Sequence, residues 1–411
     1  MPWKEICPMD ERGKFIVECL RRELTMSELC RKYEISRKTG YKWWSRFWET
    51  GDRRFGDRSH AAHWHPNATP DEVVTMLLSA RKQHPTWGPR KLVAWLAAKY
   101  PRLVLPSAST VGAILKRHGL IQPRRARPRS APYESPFVGC DEPNSVWCAD
   151  FKGSFRLRNG RRCNALTITD AYSRYLLRCE GMSYIDDARV RPIFESAFSE
   201  FGLPVAIRTD NGPPFSTIAP GGLSRLAIWW IKLGIRPERI PPGVPQHNGR
   251  HERMHRTLKE DTAKPAERTL ADQQRAFDRF RRIYNEERPH EALGQKPPWT
   301  AYTRSRRPYP VKLREPEYPE SFKTRVVRHD GLIKWRGRHV YLAETLANEN
   351  VGLEQIDDET WRVHFATIPL GVLEGTRFKR AAGVYRSRKT IFESNRNLKP
   401  QRMEVSPIRP V

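Results

Sequence analysis

The stretch Ser145-Val146-Trp147-Cys148-Ala149-Asp150-Phe151 places a carboxylate inside a short apolar run. A run of this length with a β-branched and an aromatic residue is typical of a buried strand, which we predict over residues 146–150. A side chain in such a strand is held rigidly. Asp150 is therefore a candidate for a fixed ligand at the centre of the fold.

Two further carboxylates have the local sequences that a shared site needs. Asp210 closes the apolar run Val205-Ala206-Ile207-Arg208-Thr209 and is followed by the turn signal Asn211-Gly212. Glu252 lies where a loop is expected to become a helix. Taken singly, each acid is more often a turn residue or a solvated position. Together, two strand-end aspartates and one helical glutamate can converge.

Converging carboxylates repel one another unless cations lie between them. Oxygen ligands with few nitrogen or sulfur donors suit Mg²⁺ or Mn²⁺. In a two-ion site, one carboxylate bridges both ions and others hold them singly, which suits displacement at phosphorus. We predict Asp150 as the bridging ligand, with Asp210 and Glu252 each holding one of two ions.

The charge of the chain points to a polyanionic partner. Its 411 residues contain 74 Lys and Arg against 46 Asp and Glu, a net charge of +28 with a pI of about 10.2. Double-stranded DNA fits such a surplus, and binding is then expected to weaken steeply with salt. A merely basic protein without a nucleic-acid partner is the alternative.

Composition also bounds the compartment and the class of protein. Mean hydropathy is −0.71, and no apolar run approaches the roughly 20 residues of a membrane span, so we expect no membrane. The seven cysteines contain no C-x-x-C pair, which favours a reducing compartment over a disulfide framework or zinc ribbon. A cytoplasmic protein is expected.

The first helix-turn-helix domain is predicted over residues 8–58. Phe15, Ile16 and Cys19 form the apolar face of a helix, and Thr25 with Glu28 has the form of a capping box. Ser36 is expected to cap a third, basic helix. Its residues Arg37, Lys38 and Lys42 are candidates to contact DNA.

A second helix-turn-helix domain is predicted over residues 68–121. One helix opens at Pro70, another at Gly88-Pro89, and a third at Ser107. Tandem units of this kind lengthen a DNA footprint. The candidate DNA contacts here are Arg90, Lys91, Lys116 and Arg117.

The remaining chain is predicted to contain an α/β core and a small β module. A basic, Pro-rich linker is expected at 122–143, the core at 144–298, a second Pro-rich linker at 299–323, and a basic, disordered tail at 376–411. Core strands are predicted at 146–150, 164–170, 175–180 and 206–209, and helices at 186–201, 223–233, 249–262 and 270–287. Residues 324–375 are predicted to form a β-barrel or sandwich, with hairpin turns at Asp330-Gly331 and Asp357-Asp358.

Several motifs resemble a known superfamily. Asp210-Asn211-Gly212 and Asn248-Gly249-Arg250-His251-Glu252-Arg253 resemble the motifs around the second and third acids of the DDE transposases and retroviral-type integrases, and Trp147-Cys148-Ala149-Asp150-Phe151 resembles the first. Two further stretches are similar to the same family, Thr167-Ile168-Thr169-Asp170-Ala171-Tyr172-Ser173-Arg174 and Tyr284-Asn285-Glu286-Glu287-Arg288-Pro289-His290-Glu291-Ala292-Leu293. The tandem helix-turn-helix front with Trp87-Gly88-Pro89-Arg90-Lys91-Leu92, and the segment Arg307-Pro308-Tyr309-Pro310, look like bacterial insertion-sequence transposases.

The resemblance implies an RNase H-like core with a mixed five-stranded sheet flanked by helices, and the use of Mg²⁺. It implies that Asp150, Asp210 and Glu252 are the metal ligands, and that Lys259 lies near substrate DNA with Arg256 close to the same helix face. One departure is the gap of 42 positions between Asp210 and Glu252, longer than in most relatives, which we assign to a loop at 218–222.

The function so implied is that of a bacterial transposase. It would bind the terminal inverted repeats of its element, cleave at the element ends and transfer the freed 3′-OH into target DNA. Two ends must meet, so at least a homodimer is expected on DNA, associated with the nucleoid. The alternatives are a catalytically inactive helix-turn-helix regulator derived from a transposase, and a ribonuclease acting on RNA–DNA hybrids.

Overall fold

The computed structural model describes residues 8–50, 55–57, 66, 68–121, 139–240 and 249–381. The chain forms two compact units, Met1–Thr69 and Pro70–Val411. Within the described ranges, no helix has both the length and the apolar character needed to cross a bilayer. Most of the first predicted linker (122–138) and of the predicted tail (382–411) lies outside the described residues.

The first unit contains three helices, α1 (Pro8–Arg21), α2 (Met26–Lys32) and α3 (Arg37–Thr50). Both predicted caps are confirmed. Thr25 and Glu28 form the capping box of α2, and the Ser36 hydroxyl accepts from the Thr39 N–H at 3.1 Å before α3. The helices enclose a core of buried side chains, Phe15, Ile16, Cys19, Leu29, Cys30, Ile35 and Trp43.

Three more helices open the second unit, α4 (Asp71–Gln83), α5 (Pro89–Lys99) and α6 (Ala108–Arg117). Pro89 occupies the first turn of α5, where its missing N–H costs nothing, and Ser107 caps α6. Leu77, Leu92 and Val111 are buried between the helices. Ile283, from the α/β part of the unit, packs against the same cluster.

The α/β core is built on a five-stranded sheet, β1 (Val146–Arg156), β2 (Arg162–Asp170), β3 (Leu176–Met182), β4 (Ala206–Thr209) and β5 (Arg236–Arg239). The strand order is β3-β2-β1-β4-β5. Strand β1 is antiparallel to β2 and parallel to β4, so the sheet is mixed, as predicted. Four of these strands were predicted from the sequence, whereas β5 was not.

Helices cover both faces of this sheet, α7 (Asp187–Phe201) and α8 (Arg225–Lys232) on one and α9 (Gly249–Thr262) and α10 (Leu270–Arg282) on the other. Because strand side chains alternate, Trp147 and Ala149 face α7 and α8. Asp150, the next residue, therefore faces α9. The predicted helix 270–287 ends earlier, at Arg282, and continues as a π-helical turn over Ile283–Glu287.

The C-terminal module contains seven short strands, β6 (Lys323–Val326), β7 (Leu332–Trp335), β8 (Arg338–Tyr341), β9 (Asn350–Gln355), β10 (Thr360–Phe365), β11 (Ile368–Glu374) and β12 (Arg377–Arg380). Five form an open sheet in the order β12-β11-β10-β9-β6, and β7 pairs with β8. Over the described residues the sheet does not close, so the predicted barrel or sandwich is not confirmed.

One of the two predicted hairpin turns is confirmed in this module. Asp357-Asp358 joins the antiparallel pair β9 and β10. Asp330-Gly331 forms a turn before β7, but β6 pairs with β9 instead of β7, so the hairpin predicted there is wrong. Gly331 has a φ of +81°, which explains the turn signal without a hairpin.

The segment that follows the core packs on it. The Arg307 guanidinium donates to the carbonyls of Pro204 and Gly234 at 2.7 and 2.8 Å. The Leu203 N–H donates to the Arg307 carbonyl at 2.7 Å. The first part of the predicted linker 299–323 is therefore fixed against the loop between α7 and β4 and the loop before β5.

A buried carboxylate joins the start of β1 to the end of β2. Asp170 accepts from the Asn144 N–H at 2.8 Å and from the Ser173 N–H and hydroxyl at 2.8 and 2.6 Å. The Asn144 side-chain oxygen accepts in turn from Trp147 and Tyr302. Burial raises the pKa of Asp170, and the hydrogen bonds from Ser173 and Asn144 act against that rise.

Removing this carboxylate is expected to destabilise the core. Asp170→Ala leaves three buried donors without an acceptor, each worth about 1–3 kcal/mol. We expect the free energy of unfolding to fall by roughly 3 kcal/mol, since the losses are not additive. Asp170→Asn keeps one acceptor and should lose less. Urea unfolding followed by tryptophan fluorescence measures both, and an unchanged midpoint for the alanine variant would contradict the prediction.

Candidate active site

Asp150 lies on β1 directly opposite Thr167 of β2. The Thr167 hydroxyl is 3.1 Å from the Asp150 carbonyl oxygen. The Asp150 side chain is 14% exposed, so its carboxylate lies at the floor of the site and not on its rim. This is the rigid, strand-held position that the apolar flanks predicted.

Asp210 lies beside Asp150 because of the register of two parallel strands. Ala149 pairs with Thr209, so the two aspartates are the next residues on neighbouring strands and point to the same face. The Asp210 side chain reaches solvent, yet the protein packed around its carboxyl raises its pKa, and the charge of Asp150 raises it further. The negative charges of the two carboxylates therefore oppose each other.

The turn after Asp210 is fixed by its own sequence. The Asn211 side chain donates to the Ile240 carbonyl at 2.8 Å, tying the end of β4 to the residue that follows β5. The Gly212 N–H donates to the Asp210 carboxylate at 3.3 Å. Asn211-Gly212 thus holds the second carboxylate in place.

Glu252 is not gathered with the two aspartates. It lies in the first turn of α9 with its side chain exposed. In the part of the chain that the structure describes, no three His, Cys, Asp or Glu side chains are assembled as a metal site. Helix α9 begins directly after residues 241–248, which are not described.

Two histidines of α9 occupy the space above Asp150. His251 and His255 place their Nε2 atoms 2.9 and 2.7 Å from the Thr167 hydroxyl, and His255 Nδ1 is 3.9 Å from a carboxylate oxygen of Asp150. Burial lowers the pKa of His251 to about 4 and that of His255 to about 2. Both rings are therefore neutral near pH 7.

The sequence interpretation missed these histidines, although a signal was present. They are four residues apart on a predicted helix and flank Glu252, so they share one face of that helix. A structural role for the two histidines is also correct in part, because both are buried and anchor α9 to the sheet.

The pair Asp150 and Asp210 fits a hard divalent cation. Two carboxylates on rigid neighbouring strands repel each other, and a cation between them removes that repulsion. Oxygen donors suit Mg²⁺ or Mn²⁺. Glu252 could supply a third oxygen only after a change in its position.

Most of the residues predicted to contact DNA are exposed. They are Arg37, Lys38 and Lys42 on α3, Lys116 and Arg117 at the end of α6, and Arg256 and Lys259 on α9. Arg90 is also exposed and pairs with Glu291 at 3.3 Å, whereas Lys91 lies against the α/β core and donates to the Pro289 carbonyl.

The Thr167 hydroxyl is expected to stabilise the attachment of α9. Thr167→Val removes the partner of two buried imidazoles, so we expect the free energy of unfolding to fall by about 1–3 kcal/mol. Thr345→Val is the matched control, because the Thr345 hydroxyl is buried without a hydrogen-bond partner, and its loss should be neutral or stabilising. Equal effects of the two variants in urea unfolding would count against the contact.

Comparison with known proteins finds integrase-core and helix-turn-helix domains in this chain. Residues 141–245 and 233–298 match two models of the integrase core domain. Residues 11–62 match a helix-turn-helix domain, and residues 39–115 match a homeodomain-like domain. These matches confirm the resemblance inferred from the acidic motifs and the helical front.

Two similar proteins come from insertion elements of bacteria. An uncharacterized 39.2 kDa protein of element IS476 from Xanthomonas euvesicatoria is 28% identical over 57% of this chain and 66% of its own length. An uncharacterized 31.7 kDa protein of element IS407 from Burkholderia multivorans is 31% identical over 38% of this chain and 54% of its own length. The chain thus spans less than two thirds of both relatives.

Among solved structures, the HTLV-2 integrase catalytic core domain in complex with magnesium is 18% identical. It covers 40% of this chain and 99% of its own, with a TM-score of 0.32. A likeness of this size supports no further conclusion.

Proposed function

Because this chain carries an integrase core domain and is related to insertion-element proteins of the retroviral-integrase superfamily, we propose that it is a DNA transposase. It binds the terminal inverted repeats of its element, cleaves at the element ends and transfers the freed 3′-OH into target DNA. One observation carries the proposal: Asp150, within β1, and Asp210, directly after the parallel strand β4, lie side by side in that core.

In this proposal Asp150, Asp210 and Glu252 would hold two divalent ions. Glu252 precedes His255 by three residues, and helical neighbours at that spacing have Cβ atoms about 5–6 Å apart. His255 contacts Asp150, so Glu252 lies at the end of α9 nearest the aspartates. We expect a rotamer change of Glu252, with a small shift of the first turn of α9, to complete the set.

A divalent ion held there would neutralise charge on the phosphoryl oxygens and lower the pKa of bound water. The chain's own residues prepare that site. Two strands fix the distance between Asp150 and Asp210. The ring of His255 is neutral near pH 7, so it places no positive charge beside the carboxylate of Asp150.

The same site serves two displacements at phosphorus. In the first, a water oxygen attacks the phosphodiester at the element end, and the 3′ oxygen departs with the proton that the water loses. In the second, that 3′-OH attacks a target phosphodiester, loses its proton and displaces another 3′ oxygen. No covalent bond to the protein is needed in either step.

DNA is held by the helical units and by α9. Arg37, Lys38, Lys42, Lys116 and Arg117 are exposed for contact with the repeats. On α9, Arg256 and Lys259 follow Glu252 by four and seven residues, one and two helical turns. Two element ends meet in the reaction, so a homodimer or larger assembly forms on DNA, in the bacterial cytoplasm and on the nucleoid. A catalytically inactive regulator is less well supported, because the paired aspartates are intact.

Catalysis is expected to depend on Asp150. With Mg²⁺ and labelled duplex from the DNA that flanks the coding region, Asp150→Asn should lower cleavage and strand transfer by at least about 10³-fold, as for loss of a charge that acts in the transition state. Asp358→Asn, in an exposed hairpin turn, is the matched control and should retain activity. Joining by Asp150→Asn at the wild-type rate would refute the mechanism.

Divalent ions are expected to stabilise the folded core. At about 100 times the dissociation constant, Mg²⁺ or Mn²⁺ should add about 2.7 kcal/mol to the free energy of unfolding. Asp150→Asn and Asp210→Asn should lose most of this gain while being no less stable without metal, because each removes a carboxylate repulsion. Thermal unfolding with and without Mg²⁺ tests this, and an equal gain in all three proteins would contradict it.

A further inference from the structure

A large basic cavity lies between α5 and the α/β core, within the second compact unit. Its volume is about 960 Å³, and its walls come from the start of α5, from α9, and from the segment Tyr284–Ala292. That segment is the sequence motif whose role the acidic site leaves unexplained. Five cationic side chains line the cavity, Lys91, Arg174, Arg253, Arg256 and Arg288, against two carboxylates, Glu260 and Glu291.

Three of the lining cations donate to neutral oxygen atoms. Lys91 donates to the Pro289 carbonyl, and Arg174 donates to the Ala171 carbonyl. Arg288 donates to the Thr257 hydroxyl at 3.3 Å. Glu291 pairs with Arg90, a cation additional to the five in the lining. The cavity therefore keeps an excess of positive charge.

Two buried polar atoms of the lining residues have no hydrogen-bond partner, Arg288 Nη1 and His290 Nε2. A buried donor on a charged group that makes no hydrogen bond destabilises the folded state, because its lost hydration is not replaced. Burial also lowers the pKa of Lys91 to about 8, with the charge of Arg288 acting in the same direction. Both observations indicate that the cavity is incomplete without an anion.

We propose that this cavity binds a phosphodiester of the DNA backbone. Arginine forks and a lysine are the side chains that hold phosphate oxygens, and five of them meet here from four parts of the chain: α5, the turn between β2 and β3, α9, and the segment Tyr284–Ala292. A polymeric ligand is favoured over a free nucleotide, because the cations continue along the exposed side of α9 to Lys259, beyond the cavity lining.

The position of the cavity gives the phosphate contact a further role. Arg256 lines it and lies one helical turn from Glu252 on the same helix, while Lys91 belongs to the second helix-turn-helix unit. A phosphate held between them fixes the distance from the DNA at that unit to the carboxylates of the core. This inference rests on the proposed function and names a contact that sets its substrate register.

The test measures binding and not cleavage. The full-length chain with Asp150→Asn as background binds duplex from the DNA flanking the coding region, without divalent ions and over a range of salt. Arg288→Met and Arg256→Gln are compared with the control Arg275→Gln, which removes one positive charge outside the cavity. Arg275 is an exposed residue of α10 that pairs with Asp272.

Each cavity variant is expected to bind about tenfold more weakly. The slope of log affinity against log salt should fall by about one, while the control keeps its slope. Arg288→Met should also raise the thermal unfolding temperature of the DNA-free protein, because it removes a buried guanidinium nitrogen that has no hydrogen-bond partner and keeps most of the side-chain volume. A purely structural arginine would give the opposite shift.

Other outcomes overturn the proposal. If folded Arg288→Met and Arg256→Gln keep the wild-type salt slope, no DNA phosphate occupies the cavity. A second outcome is that inorganic phosphate alone raises the unfolding temperature of the Asp150→Asn protein, but not after Arg288→Met is added. If the salt slopes of DNA binding are also unchanged, the ligand of the cavity is a free anion. Binding is measured in the Asp150→Asn background, so it does not depend on whether the proposed catalysis occurs. If the wild type cleaves DNA but the cavity variants keep the wild-type salt slope, the proposed function stands and only the cavity assignment is wrong.

Discussion

Two neutral imidazoles meet one threonine hydroxyl beneath helix α9, and the geometry of the site follows from that contact. Thr167 lies on β2 opposite Asp150, and His251 and His255 reach it from one face of α9. The low pKa values of both rings keep charge out of a buried space. Glu252, Arg256 and Lys259 are carried on the same helix, so this contact, together with the burial of Met254 and Leu258 against the sheet, sets their distance from the aspartates.

The sequence predicted the pairing of Asp150 with Asp210 for a sound physical reason. Each follows an apolar run, and the parallel register pairs Ala149 with Thr209, so the next residues, Asp150 within β1 and Asp210 after β4, become adjacent. The position of Glu252 could not be read in the same way. A helix on the sheet face is placed by side-chain packing, here by His251 and His255, and sequence spacing carries no measure of that packing.

The limits of local sequence patterns also explain other differences between the predicted and the observed structure. Strand β5 has the sequence Arg236-Pro237-Glu238-Arg239, which shows no apolar alternation because the strand lies at the edge of the sheet. Its side-chain contact with β4 is an ion pair between Glu238 and Arg208 at 2.7 Å. Arg90 and Lys91 begin a helix in a form typical of DNA contact. They face Glu291 and Pro289 because the second helical unit packs on the core, which no local pattern reveals.

The extra residues between Asp210 and Glu252 connect the core to the C-terminal module. They form a 3-10 turn, Pro220–Gly222, in which a Cβ on Gly221 would lie 3.3 Å from Ile368 and Leu370 of β11. Leu223, Ala227 and Ile228 continue this contact along α8 into the apolar core of the module. In evolutionary terms, the two parts cannot be exchanged independently among related elements. If a recombined gene paired this core with a foreign C-terminal module, the apolar face of α8 would be exposed to solvent, and the product would aggregate.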